Sequence, residues 1–298
     1  MRGILFALGA YVFWGLHPIY WRLLRHVPSS EIVCHRVFWS FIFFMVIMTS
    51  RRGWKNLLAQ IRSAPNKWIV YVPAFLIGSN WAIYIWAVNA GFIIETSLGY
   101  FICPLLSVFL GVAFLKEQLR PVQWLAVGIA AAGVLVMTVI YGQFPWIAIS
   151  LAVTWGTYGL LRKNSPLNSA EGLTLETAVL SIPALIFLFH LHARGSGSFF
   201  LNFKDALLLI GSGVTSGLPL LVFIAGARLV SLSLIGIMQY VYPTLIFLVG
   251  TSIFHEPLNE AKTAGLIFIW AALILYTAEG AVFFGRNKKS PAGKPGTG

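Results

Sequence analysis

The sequence predicts an all-α membrane protein whose ten transmembrane helices form two inverted five-helix repeats. Three observations predict it. Of 298 residues, 58% are hydrophobic and 10% charged, with a mean hydropathy of +0.82; a soluble domain carries about a quarter charged, because its exterior has to be polar. The apolar residues fall into runs of helix length. Finally, Pro104, Leu106, Gly111, Glu117 and Leu119 recur as Pro243, Leu245, Gly250, Glu256 and Leu258, each 139 positions on, so the chain repeats itself at half length.

A helix needs about 20 residues to cross a bilayer, and only helices or closed barrels satisfy their backbone there. The first run, 4–24, follows Arg2 like a leader peptide, but Trp14, Pro18, Tyr20 and Trp21 stand where a small-residue cleavage site would be, so it reads as a retained span. The second span is 31–50. Residues 51–67 then form a basic loop with a short surface helix carrying Trp54, Leu57, Leu58 and Ile61 on one side. Spans follow at 68–89, 93–115, 122–140, a short one at 146–161, then 172–192, 205–226, 232–254 and 261–283. The tight connections Ala90 to Phe92 and Tyr141 to Pro145 make their neighbours antiparallel. Residues 1–140 thus form the first repeat and 146–284 the second, while 285–298, rich in Gly, Pro and Lys, is expected to be a disordered cytoplasmic tail.

Lysine and arginine orient the chain. With the N-terminus in the cytoplasm, 15 of the 21 basic residues lie on that side, five on the other, and Arg36 within a span. This bias places both ends in the cytoplasm. Five spans per copy is an odd number, so the second copy enters the membrane upside down. Trp14 and Gly15 match Trp155 and Gly156 at an offset of 141. Two inverted copies can exchange shapes, which is the plan of alternating access in carriers.

The fourth span carries Ser97, Tyr100, Pro104, Ser107 and Gly111 on one face, and the ninth repeats the stripe with Gly236, Gln239, Pro243, Ile246 and Gly250. A mid-helix proline kinks the helix and frees a carbonyl about four residues earlier, here at Tyr100 and Gln239, with Phe101 and Tyr240 aligned beside them. These positions are candidate substrate contacts. Asn80, Trp81 and Tyr84 in the third span and His17 in the first join them, with interhelical bonding open for Asn80 and a plain polar contact open for His17. Charges inside spans are costly and mark function. Arg36, Glu95 and Glu176 are therefore candidates for gating or an ion pair, with Arg36 able to pair with Glu31 or Glu95 or to hold a substrate carboxylate.

Other functions find less support. The net charge of +12 is scattered between apolar runs, unlike a nucleic-acid face. His190 and His192 have no third ligand in view, so neither a metal nor a cofactor is expected. Gly211, Gly213 and Gly217 follow no strand and read as helix packing. Cys34 and Cys103 both fall within spans and read as small hydrophobes. Gly128, Ala131, Ala132 and Gly133 allow self-association, leaving monomer or homodimer open. An intramembrane enzyme acting on a lipid or prenyl substrate is the alternative, but such chemistry uses clustered carboxylates or histidines, and the nine acidic residues are scattered.

Several segments resemble one family: Tyr11-x-x-Trp14-Gly15; Glu31-x-x-x-His35-Arg36; Asn80-Trp81-x-x-Tyr84-x-Trp86-Ala87-Val88-Asn89; and Glu95-Thr96-Ser97-Leu98-Gly99-Tyr100-Phe101-x-x-Pro104-Leu105. Together they are similar to the RarD family of the EamA-type drug/metabolite transporters. The resemblance implies a ten-helix permease of the bacterial inner membrane, linked with chloramphenicol resistance and with export of small metabolites. The expected function is a secondary transporter moving a small amphipathic solute by alternating access, with proton or exchange coupling left open.

Overall fold

The computed structural model describes residues 2–64, 66–90, 92–255 and 260–289, and every regular element among them is a helix. In chain order these are α1 (Arg2–Arg22), α2 (Ser29–Ser50), α3 (Trp54–Ser63), α4 (Trp68–Asn89), α5 (Ile93–Leu115), α6 (Pro121–Tyr141), α7 (Trp146–Asn164), α8 (Ser169–Ala193), α9 (Phe203–Ala227), α10 (Leu232–Gln239), α11 (Val241–Ser252) and α12 (Glu260–Lys289). Among the described residues, eight stretches are long and apolar enough to cross a membrane: α1, α2, most of α5, α6, α8, α9, α10 with α11, and part of α12. Residues 68–84 of α4 form a shorter apolar helix. The 19-residue α7 ends on Arg162 and Lys163.

The helix ends follow from local chemistry. α8 begins earlier than the apolar run suggests because Asn168 accepts the Glu171 N–H at 3.0 Å and Glu171 accepts the Asn168 N–H at 2.9 Å, a reciprocal cap. Asn202 starts α9 with its side-chain oxygen, which accepts the Lys204 and Asp205 N–H groups. Pro243 has no N–H for the Gln239 carbonyl, and the ninth apolar run is divided there, α10 ending at Gln239 and α11 beginning at Val241. α5 passes through Pro104 undivided. In α3, Trp54, Leu57 and Ile61 pack with Met48, Val70 and Leu167, while Leu58 faces outward. Glu256 and Leu258, counted in the repeat, and most of the tail lie outside the described residues.

The helices gather into two units, one holding α1–α5 with α7–α11 and the other α6 with α12. Within the first, α2 packs on α8 and α5 on α10; α1 meets α9 and α11, α7 meets α4 and α5, and α2 and α8 also meet α9 and α4. Close approach makes these contacts. A Cβ on Gly213 of α9 would lie 2.3 Å from the Trp39 carbonyl carbon of α2, and one on Gly236 of α10 would lie 2.6 Å from the Pro104 carbonyl oxygen of α5. In the second unit α6 and α12 pack along one another, and Arg120 reaches Glu279 at 2.5 Å.

Because backbone atoms face Gly213, Gly213→Ala has to separate α2 from α9. We expect it to cost about 1–3 kcal/mol, visible as a lower Tm in detergent. Gly9→Ala, which meets nothing within 4 Å, is the control and should leave Tm unchanged or raise it.

Candidate functional site

Polar side chains between the helices of the first unit divide into a large set that closes helix contacts and a small set that does not. The Asn80 amide donates to the Leu151 carbonyl at 3.0 Å and to Thr154 Oγ1 at 2.8 Å, tying α4 to α7. Tyr240 is fully buried and donates to the Phe101 carbonyl, and Tyr11 donates to the Ile235 carbonyl. His17 Nε2 lies 2.8 Å from the Thr215 carbonyl, an acceptor that makes Nε2 the protonated nitrogen. Glu95 accepts the Ile147 N–H at 3.0 Å, so it caps α7 as well as standing in the first turn of α5. Glu117, at the end of α5, likewise accepts the Leu232 and Ser233 N–H groups that open α10. Each of these bonds replaces one that water would otherwise supply.

Glu176 lies in a buried polar knot. Its carboxylate is 3.3 Å from Arg162 Nε and accepts the Tyr158 hydroxyl at 2.9 Å. The guanidinium also donates to the Asn168 carbonyl, and it fits only because residue 172 is glycine, where a Cβ would stand 2.0 Å from Nη1. Lys163 donates to the Ala227 and Val230 carbonyls, and Arg228 to those of Ser165 and Leu167. These bonds bind the ends of α7 and α9 and the start of α8 into one locked end of the unit.

Arg36 is different. It stands seven residues, about 10 Å, into α2, with its guanidinium carbon 4.4 Å from the centre of the Trp81 ring. Its electrostatic neighbours are Tyr84, Tyr100, Tyr242 and His17. The three tyrosine rings lie together, Tyr84 with its ring centre 6.2 Å from that of Tyr100, and Tyr242 edge to face with Tyr100 at 5.0 Å. Neither carboxylate weighed as a partner pairs with it. Glu31 instead accepts the Ser198 N–H at 2.6 Å beside His35, and Glu95 serves α7. Among the described residues no ion pair includes Arg36, and its Nε is buried without an acceptor. An arginine at mid-helix in a bilayer costs about 2.5–3.5 kcal/mol or more, whereas a desolvated cation–π contact returns about 2 kcal/mol. The Arg36 charge is therefore left without a counter-ion among the described residues.

Of the positions singled out in the sequence, Arg36, Trp81, Tyr84, Tyr100 and His17 come together here. Asn80, Tyr240, Glu95 and Glu176 are engaged in helix contacts. Gln239 is buried with its side-chain oxygen unpartnered, and Ser97 is half-buried. Tyr242 escaped sequence reading because the repeat aligns it with Cys103, and Arg162 because a basic last turn reads as loop charge. Among the described residues no group of three metal-ligating side chains forms.

A scan of family models matches the EamA-like transporter family over residues 1–139 and again over 145–278. The chain belongs to the EamA-like transporter family. It is 42% identical to "Uncharacterized transporter YojE" of Bacillus subtilis over 93% of each chain. It is also 40% identical to "Protein RarD" of Escherichia coli, covering 93% of this chain and 94% of that one. A solved crystal structure, 19% identical, covers 93% of this chain and 97% of its own with a TM-score of 0.70, a likeness of fold. With eight apolar stretches of spanning length among the described residues, this EamA protein is a multi-pass membrane protein of the drug/metabolite transporter superfamily.

Breaking the Arg162–Glu176 pair from one side leaves a buried charge alone. Glu176→Ala should cost about 3–5 kcal/mol, and the double variant Arg162→Met/Glu176→Leu should recover most of it, both read by thermal unfolding in detergent.

Proposed function

We propose that the chain is a secondary transporter that moves a small amphipathic solute across the bacterial inner membrane by alternating access. Its ten spans form two inverted five-helix halves, residues 1–140 and 146–284, with both termini in the cytoplasm. The observation that carries this reading is the exchange of partners between halves. Matching each half to the other pairs α1 with α7, α2 with α8, α4 with α9, α5 with α10 and α11, and α6 with α12. Under that exchange α1 on α11 becomes α7 on α5, α1 on α9 becomes α7 on α4, and α2 on α9 becomes α8 on α4, each a contact made in the fold. The match extends to side chains. Gly15 faces Leu245 and Gly156 faces Leu106, the same pair with the halves exchanged, and Trp14 meets its counterpart Trp155 edge to face at 5.8 Å. Two packings of similar energy are what a rocking carrier requires.

In this scheme α1, α2, α4 and α5 with α7–α11 form the path, and α6 and α12 are supporting helices. The site around Arg36 and Tyr100 binds the cargo, Gln239 lines the path from the second half, and the Arg162–Glu176 knot closes one end. Efflux is the direction that the RarD likeness favours, and chloramphenicol belongs in a substrate panel for the same reason.

Counterflow in liposomes holding the purified protein, with metabolites and chloramphenicol and with or without a pH gradient, tests the reading. Saturable, competable flux is expected, and its response to the gradient separates proton coupling from exchange. Tyr100→Ala and Gln239→Ala should each abolish that flux while keeping the helical spectrum and membrane insertion. Full activity in both would remove the site assignment.

A further inference from the structure

Arg36 states what the cargo has to be. A guanidinium carries five N–H donors; here its carbon lies 4.4 Å from the centre of the Trp81 ring, the three tyrosines are its electrostatic neighbours, and no carboxylate pairs with it among the described residues. The tyrosine rings pack together, and each carries an O–H that can donate to an arriving acceptor. A cationic solute would meet like charge. A neutral solute would leave the guanidinium uncompensated in low dielectric. A phosphate dianion would bring more charge than one arginine neutralises, whereas a carboxylate carries one charge in the flat, two-oxygen geometry that the fork matches. The aromatic rings offer a flat apolar surface for the remainder of the molecule.

We propose that this site takes a small organic monoanion, its carboxylate on Arg36 and the hydroxyls of Tyr84, Tyr100 and Tyr242, its apolar body against the aromatic rings. Arg36 is then a specificity-determining residue, and substrate charge decides occupancy. The proposal rests on the transporter reading for the meaning of occupancy, yet binding tests it separately from flux.

The probes are benzoate, phenylacetate and 3-phenylpropionate, each against its own neutral amide, with the full-length protein in nanodiscs for binding and in liposomes for counterflow. At least one carboxylate should bind about tenfold tighter than its amide. Arg36→Gln should erase that preference, and Arg36→Lys, which keeps the charge but not the fork, should restore part of it. Amides that bind as well as the acids overturn the proposal, as does a folded Arg36→Gln protein that still prefers the acid. Should Arg36→Gln fail to fold, the double variant Tyr100→Phe/Tyr242→Phe keeps the rings and removes two hydroxyls. It should weaken carboxylate binding by roughly threefold or more, at about one hydrogen bond's worth, and weaken amide binding less, because hydrogen bonds to a charged acceptor are the stronger; unchanged carboxylate binding overturns the proposal. Carboxylate binding without flux of any solute would instead remove the transporter reading and leave the anion site standing. Flux of neutral solutes without a carboxylate preference would do the reverse.

Discussion

Helices surrounded by hydrocarbon gain little from hiding apolar side chains from one another, since lipid is as apolar as leucine. What holds this bundle is close approach. α2 and α9 meet at Gly213, and α5 and α10 at Gly236, where even a methyl group would strike backbone. Dispersion contacts and short interhelical hydrogen bonds are available only at such distances. The rest of the structure depends on these crossings, because they fix how α2 lies against α9 and α5 against α10.

The same constraint sorts the polar residues. An amide or hydroxyl in this environment has to find a partner, and most do so on a neighbouring helix: Asn80 on Leu151, Tyr240 on Phe101, Ser40 on Gly213 at 3.0 Å. These bonds hold one arrangement of the helices. A carrier, however, needs some groups that are not fully satisfied by the protein, so that a solute supplies what is missing. Arg36 and Gln239, each with a side-chain atom left unpartnered, are the groups that the proposed function assigns to a solute.

Much of this was legible in the sequence, for identifiable reasons. Apolar runs report spans because lipid leaves a helix few alternatives, and the half-length recurrence of proline and glycine reports the repeat because backbone geometry is what it preserves. The helix ends were less legible: Asn168 and Asn202 extend α8 and α9 into polar sequence through caps that the hydropathy pattern does not contain. Partners were least legible. Nothing in the spacing of Glu31, Glu95 and Arg36 says that the carboxylates cap other segments and leave the arginine alone, because that depends on where α7 and the backbone at Ser198 pack in three dimensions. Tyr242 is invisible for a related reason, being placed by the break between α10 and α11 rather than by any pattern of its own.

The two halves treat equivalent positions oppositely. Arg36 stands seven residues past the start of α2, and Glu176 seven past the start of α8. His17 neighbours the first, and Tyr158, its counterpart at the offset of 141, bonds the second. In the second half, Arg162 completes the arrangement with a charge of opposite sign, while the matching position in the first half is Trp21, which is neutral. Were both positions satisfied, both halves would be locked and an anion would gain nothing by entering. Were neither satisfied, two uncompensated charges would face the same interior at twice the cost. One locked and one open position let the second half hold the bundle together, while the first keeps its charge free for the anion that the proposed function requires.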